Sequence, residues 1–257
     1  QRQMCIRDSA SAGFRPKRDD IDIDFRFDSQ EADVAESRFT LVPVTEKAAA
    51  LNIGGHYSLA LIGDFNESNA TAAIIGAGLA GVDASAAVPG IAKVKIPGRM
   101  EHTKVAGHGA VYVDYAHNYA SMKALLSFLK HAYKDPRLLV VVGSPGDKGV
   151  SRRPGFAKVL TEFATEAFLT TDDPGYEDPA NIIEEIDSKI DHSKVKVHKV
   201  LDRQKAIAEA ISDSGPNDIV VVAGKGADPY QKVRGVNTPW PTDMAVVKQV
   251  AKSLQEG

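Results

Sequence analysis

The chain of 257 residues is poor in cysteine, in tryptophan and in long apolar runs. Its single cysteine, Cys5, excludes an internal disulfide framework and a cysteine-built metal cluster, and makes a reducing, cytoplasmic setting the expectation. No apolar run approaches the roughly 20 residues that a membrane span requires. The most apolar stretch, 70–82, is too short and too rich in glycine and alanine, so no membrane insertion is expected. Neither sign of charge dominates: 31 Lys and Arg against 34 Asp and Glu leave a net charge of −3, so there is no basic field of the kind that gathers nucleic acid. A secretory h-region is missing from the start. No G-x-x-x-x-G-K-[ST] phosphate loop occurs, and neither a Ser/His/Asp order nor a metal-ligand spacing stands out. What is there is an ordinary globular composition, 43% hydrophobic and 25% charged, in a chain long enough for one large or two smaller domains.

Residues 1–10 have neither helical nor strand periodicity, and 1–18 read as a foreign or disordered lead-in; position 1 is not methionine, so the chain reads as a fragment. The acidic stretch 19–36 reads as a solvated edge hairpin, with 21–27 alternating at period two and 37–44 as partner strand. A helix is expected over 65–81, capped by Asn66, with Glu67 as a first-turn acid. Pro89 and Pro97-Gly98 punctuate the stretch after this helix and put a domain boundary after residue 97. Beyond it strands (109–114, 138–142, 167–171, 194–200, 218–223) alternate with helices (118–133, 154–163, 178–190, 202–211, 242–254). Such alternation implies crossover units in a mostly parallel sheet with helices on both faces. Fully apolar runs such as 138–142 suit strands buried on both sides. The fold class is therefore α/β, with a Rossmann-like C-terminal domain over 98–257 and a preceding segment over 19–97.

Polar residues collect just after the strands. Asp114 to Asn118 follow the first, Gly143 to Gly149 the second, Asp172 to Gly175 the third and Gly224 to Asp228 the fifth. In an open parallel sheet these carboxyl ends share one rim, where ligands bind. Singly, each has an ordinary explanation. The Gly143, Gly146, Gly149 spacing is not the dinucleotide fingerprint, and Gly-rich turns often serve backbone geometry alone. His117 reads as a capping or surface histidine, and Asp172-Asp173-Pro174 as a turn.

Taken together, six motifs in order carry a resemblance: Gly63-Asp64-Phe65-Asn66-Glu67-Ser68-Asn69, Gly98-Arg99-Met100-Glu101, Asp114-Tyr115-Ala116-His117, Asp172-Asp173-Pro174, Asp202-Arg203, and Gly224-Lys225-Gly226 with Tyr230-Gln231. The chain resembles the Mur ligase family, ATP-dependent amide ligases of cell-wall precursor synthesis, and within it the members that add the third residue of the stem peptide. The resemblance implies that 19–97 is the tail of a central ATP-binding domain and 98–257 the C-terminal amino-acid-binding domain. The phosphate loop and the carbamylated lysine that holds Mg2+ belong upstream, so no metal ligand is expected in this chain, and alone it is expected to be inactive. ATP would activate the carboxylate of a UDP-N-acetylmuramoyl-dipeptide as an acyl phosphate, which the amine of the incoming amino acid attacks. Carried over by motif, Asn69 approaches adenine, Arg99 the phosphates and Asp114 the ribose; His117 lies against the nucleotide. Arg99 and His117 are the expected catalytic residues. Lys148 would meet the α-carboxylate, and Asp172, Asp173, Gly224 and Asp228 would line the amino-acid pocket. A monomer is implied.

Three departures touch the pocket: Lys148 stands where the family has Arg, Gly149 where it has Asp, and Asp228 where it often has Glu. A lysine cannot bind a carboxylate bidentately. Members that add meso-diaminopimelate carry Asp-Asn-Pro-Arg where this chain has Asp172-Asp173-Pro174-Gly175. Losing that arginine's charge-assisted bond costs about 1.5–3 kcal/mol, roughly 10–150-fold in affinity, and Asp173 adds an anion. The expected substrate is thus a diamino acid with one carboxylate, L-lysine first and L-ornithine second. The alternatives are a folylpolyglutamate or poly-amino-acid ligase of the same superfamily, and a non-catalytic nucleotide-binding α/β module.

Overall fold

The computed structural model describes residues 6–8, 23–29 and 36–256. The chain divides into two compact units, Gln1–Lys95 and Ile96–Gly257. In the first, strands β1 (Ile6–Asp8), β2 (Phe25–Ser29), β3 (Ser37–Pro43) and β4 (Gly55–Leu59) lie side by side in chain order. β1 runs parallel to β2; the other pairs are antiparallel. Phe25 and Phe27 point into a core with Phe39, Leu41, Tyr57 and Leu59 while Arg26 is exposed, so the expected period-two strand paired with the 37–43 strand is present; β1 on its other side makes it an inner strand and not a solvated edge. Ile6–Asp8 are paired, and the rest of the expected lead-in, with Ile21 and Asp22, lies outside the described residues. Helices α1 (Glu46–Ala49), α2 (Asp64–Leu79) and α3 (Ala84–Ile91) complete the unit.

The start of α2 differs from the sequence reading. Gly63, not Asn66, is its cap, at φ 104°, and the Gly63 N–H donates to Ser37 Oγ at 3.2 Å. Asn66 lies inside the first turn and donates from Nδ2 to the Ile62 carbonyl at 2.9 Å. A glycine takes this left-handed entry without the Cβ cost, and its acceptor comes from a distant strand. Pro89, read as punctuation, sits inside α3.

The second unit holds β5 (Glu101–Lys104), β6 (Ala110–Asp114), α4 (Tyr119–Ala132), β7 (Leu138–Val142), α5 (Arg153–Phe163), β8 (Glu166–Leu169), α6 (Pro179–Asp187), β9 (Lys196–Lys199), α7 (Arg203–Ser212), β10 (Ile219–Ala223), a hairpin of β11 (Tyr230–Val233) and β12 (Val236–Pro239), and α8 (Asp243–Glu256). The sheet order is β5-β6-β10-β7-β8-β9, parallel throughout except at β5. β7 and β10 are buried at every residue, as apolar central strands must be. One face packs Val111, Val113, Leu139, Val141, Val220 and Val222 against α7 and α8. Asn118 opens α4 with a capping box to Ser121, and Asp178 and Asp202 cap α6 and α7. Registers place Asp114, Ala223 and Val142 level, so the loops after β6, β10 and β7 leave the sheet side by side.

The opposite rim is tied by charge. Glu166, at the start of β8, is paired with Arg137, with Lys196 at 3.2 Å and with His198 Nε2 at 2.7 Å. Burial pushes this carboxyl up, but hydrogen bonds from Arg137, His198 and Lys196 outweigh it and set the group at about 2. The stabilisation is therefore fully present above the ordinary value near 4.5 and is lost as pH falls towards 2. Glu166→Gln is expected to lower unfolding free energy by about 1–3 kcal/mol at neutral pH, with the difference from wild type shrinking steadily in acid. Urea titrations at a series of pH values check this; a gap independent of pH would contradict it.

Candidate functional site

Because β6, β10, β7 and β8 are parallel neighbours, the four polar loops do share one rim. Asp114, the last residue of β6, is 3% exposed. One of its oxygens accepts the Met100 N–H at 2.9 Å and the other the Ala116 N–H at 2.8 Å. Burial raises this carboxyl; the two amides, then Arg99 and His117, oppose the rise. Asp114 thereby fastens the 98–100 turn beside 115–117. In that turn Gly98 has φ 71° and Met100 φ 47°. Arg99 is exposed, with its guanidinium 5.1 Å from the centre of the Tyr115 ring, and it forms no ion pair among the described residues. His117 Nδ1 lies 2.7 Å from the Tyr115 carbonyl; since a carbonyl only accepts, Nδ1 carries the proton and Nε2 is left to a ligand. The Tyr115 hydroxyl donates to Asp228 Oδ1 at 3.3 Å, joining this group to the loop after β10.

The other half of the rim centres on Lys225. Only 1% exposed, it places Nζ 2.7 Å from Asp173 Oδ1 and 3.7 Å from Asp172 Oδ1, with the Tyr230 ring 5.8 Å away. Asp173 Oδ1 also accepts the Lys232 N–H at 2.9 Å. Asp173 is therefore not the free anion the sequence suggested: a buried lysine, distant in sequence, neutralises it. Asp172 is enclosed, and burial pushes its carboxyl up against the pull of Arg203 and Lys225. Gly224, at φ 109°, brings its backbone against the Asp172 carboxylate, where a Cβ would come within 2.7 Å.

The 143–149 loop is locked to the 172–175 loop. The Gly146 N–H donates to the Asp173 carbonyl at 2.8 Å, and a side chain at 146 would overlap the Pro174 carbonyl. Asp147, at φ 55°, donates its N–H to Glu177 at 2.5 Å, and Arg153 grips Glu177 at 2.8 and 2.9 Å. Lys148 is presented from this clamp, exposed and in no ion pair among the described residues. The β11–β12 hairpin, absent from the sequence reading, docks here too. Gly175 N–H donates to the Lys232 carbonyl at 3.0 Å, and Arg234 N–H to the Gly175 carbonyl at 2.6 Å. Its two-residue turn, Arg234 at φ 48° and Gly235 at φ 78°, suits a twisted hairpin.

Beneath these loops Arg203 is wholly buried. Nε and Nη2 each donate to Asp243 at 2.8 Å, and Nη2 also reaches the Ala223 carbonyl at 3.0 Å. Asp243 further accepts from Trp240 Nε1 at 3.3 Å. Asn69 is an exposed residue of α2, in the other compact unit. Among the described residues one group has metal-ligand proximity, Glu166 with His198 and Asp213. It lies at the opposite rim and its carboxylate is already held by Arg137 and Lys196, so it does not fit a magnesium ion. Sequence reading singled out neither the Lys225 side chain nor Arg203 as a site residue; their signal was a cation inside an otherwise motif-like turn.

Residues 98–226 match the family described as Mur ligase, glutamate ligase domain. The chain belongs to the Mur ligase family and contains its C-terminal domain. Among similar proteins, the UDP-N-acetylmuramyl-tripeptide synthetase of Latilactobacillus sakei subsp. sakei (strain 23K) is 64% identical over 91% of this chain and 46% of its own length. The UDP-N-acetylmuramoyl-L-alanyl-D-glutamate–L-lysine ligase of Enterococcus faecalis (strain ATCC 700802 / V583) is 48% identical over 80% of this chain and 40% of its own. A solved UDP-N-acetylmuramoyl-L-alanyl-D-glutamate–2,6-diaminopimelate ligase aligns with TM-score 0.60 at 30% identity, over 93% of this chain and 47% of that one. The chain thus spans about half the length of the curated relatives it matches. No helix among the described residues is long and apolar enough to cross a membrane.

The Lys225 arrangement makes a stability prediction. Replacing Lys225 by Met strands the buried Asp172 carboxylate and removes the cation beside the partly exposed Asp173, and is expected to cost about 3 kcal/mol. Adding Asp173→Asn should restore part of the loss. Urea unfolding of the single and double variants reads both, and a single variant as stable as wild type would contradict the assignment.

Proposed function

We propose that this chain is the carboxyl-terminal portion of a cytoplasmic, monomeric ATP-dependent ligase that joins a diamino acid, L-lysine before L-ornithine, to UDP-N-acetylmuramoyl-dipeptide. ATP would supply the acyl phosphate, with the Mg2+ ligands lying in the part of the enzyme that precedes these residues. Arg99 offers an exposed guanidinium for phosphate charge, His117 a free Nε2 for the nucleotide, Asp114 the remaining lone pairs of its oxygens for the ribose, and Asn69 an amide for adenine. Lys148 is an exposed cation in no ion pair among the described residues and suits the α-carboxylate. Asp172, with Asp228 and the Gly224 backbone nearby, supplies negative charge for ammonium groups, and Asp173 shapes the wall through Lys225.

The observation that carries the specificity is charge. Asp172, Asp173 and Asp243 are three carboxylates set around two cations, Lys225 and Arg203, which leaves this group one negative charge in surplus when all are ionised. A cationic side chain suits that surplus, and Gly175 supplies no cation for a second carboxylate. The name of the 48%-identical relative, a lysine ligase, agrees. One observation favours a second reading. Arg234 is exposed and hydrogen-bonded through its backbone to Gly175, so its guanidinium would be available to a distal carboxylate such as that of meso-diaminopimelate.

The test compares kcat/KM of the full-length ligase for L-lysine, L-ornithine and meso-diaminopimelate. L-Lysine is expected to exceed meso-diaminopimelate by roughly 10–150-fold, the worth of one missing charge-assisted bond. Equal or faster use of meso-diaminopimelate, abolished by Arg234→Gln, would establish the second reading. The isolated 257-residue chain is expected to show no amide-ligase activity.

A further inference from the structure

Arg203 opens α7 at the carboxyl end of β9, and its side chain is 0% exposed. Asp243, at the start of α8, occupies one edge of the guanidinium, and the Ala223 carbonyl ends β10 against it. The third nitrogen, Nη1, has no hydrogen-bond partner among the described residues. A buried donor left unmatched is costly, so a residue kept merely to staple helices would be expected to use it. Asp172 is the complementary case. Its carboxylate is enclosed, makes no hydrogen bond among the described residues, and has Lys225 as its ion-pair neighbour at 3.7 Å. It lies against Gly224, the residue that follows Ala223. Arg203 therefore sits one residue of β10 away from the pocket's buried carboxylate.

We propose that Arg203 is a positioning residue of the amino-acid pocket, holding Asp172 charged and in place for the ammonium group of the incoming amino acid. This inference rests on the ligase reading above. The groups acting on Asp172 come from each element around it. Burial drives its carboxyl up; Arg203 on α7 opposes this most, then Lys225 in the loop after β10; the neighbouring Asp173 and Asp243 on α8 add to the rise. Without the charge on Arg203, three carboxylates would face one ammonium. Asp172 would then hold a proton to higher pH, and a neutral acid attracts an ammonium weakly. Asp243 plays the converse part, since removing its charge leaves Arg203 acting on Asp172 alone.

The experiment uses the full-length ligase with its preferred amino acid, reading KM for that amino acid, KM for ATP and the acid limb of kcat/KM. Arg203→Gln is combined with Asp243→Asn so that no buried carboxylate is stranded. Because Arg203 acts on Asp172 more strongly than Asp243 does, the net change is upward but partial: KM for the amino acid is expected to rise about threefold, with the acid limb moving up by about half a pH unit and KM for ATP staying within about twofold. Asp243→Asn alone should move the acid limb the opposite way, to lower pH, and Arg203→Lys, which keeps the charge, should leave it near wild type. Folding of each variant is checked by thermal unfolding, and the single Asp243→Asn change carries the test if the double variant fails to fold. An acid limb that stays put in these variants, or KM values for both substrates rising together, would overturn the inference. Asp172→Asn separates the two levels. If it leaves KM for the amino acid unchanged, the pocket assignment itself is wrong; if it raises KM while the Arg203 and Asp243 variants do not shift the acid limb, only the role of Arg203 is wrong.

Discussion

A single buried lysine holds one half of the rim together. Lys225 reaches its place just after β10, beside two consecutive aspartates in the loop after β8, and through them the loop after β7 and the β11–β12 hairpin are fastened. Asp173 accepts from Lys225 and from the hairpin at Lys232, and its carbonyl accepts from Gly146 in the loop after β7. Asp172 lies against Gly224 on one side and Gly143 on the other. Charges enclosed this way are expensive unless paired. The pairing joins residues 52 positions apart in sequence, so it forms only when β8 and β10 are both in the sheet. The sheet and this half of its rim thus form together.

The parts of the fold legible in the sequence were those where one segment decides its own state. Leu138–Val142 and Ile219–Ala223 are continuous apolar runs that suit only strands covered on both faces, and both are. Asn118, Asp178 and Asp202 announce helices because each side chain caps its own first turn. The misses are segments whose state depends on partners elsewhere. Glu101–Lys104 is polar and half-exposed, and is a strand because β6 offers an edge. The hairpin residues from Tyr230 to Pro239 are largely exposed and lack apolar alternation; they fold back because Asp173 and Gly175 accept and donate along one side. Gly63 caps α2 with Ser37 as the acceptor, a pairing no local pattern displays.

The site divides in the same way. That loops after parallel strands converge follows from topology, and the topology was readable. What each charge does there was not. Asp173 looked like an anion available to repel a carboxylate until Lys225 was seen beside it. Asp114 looked like a free acceptor, yet both oxygens already organise backbone amides. Arg203 passed for a motif residue of unstated purpose. A sequence gives the number of charges, whereas their effect depends on which pairs are enclosed together and how many remain in surplus.

The motifs that looked independent are better understood as one contact. Gly98, at φ 71°, lies so close to Gly226 and Ala227 that a Cβ there would come within 2.5 Å of the Ala227 nitrogen. Gly226, at φ 53°, lies under the Tyr115 ring, where a Cβ would come within 2.6 Å. Tyr115 in turn carries the Arg99 guanidinium over its face and reaches Asp228 with its hydroxyl. The glycine at 98 is thus needed because of the glycine at 226, and the glycine at 226 because of the tyrosine at 115. Three stretches of the sequence, each of which alone reads as a flexible turn, remove one another's freedom when they meet. Their small residues let the backbones approach, and that approach is what stations Arg99 at the mouth of the rim.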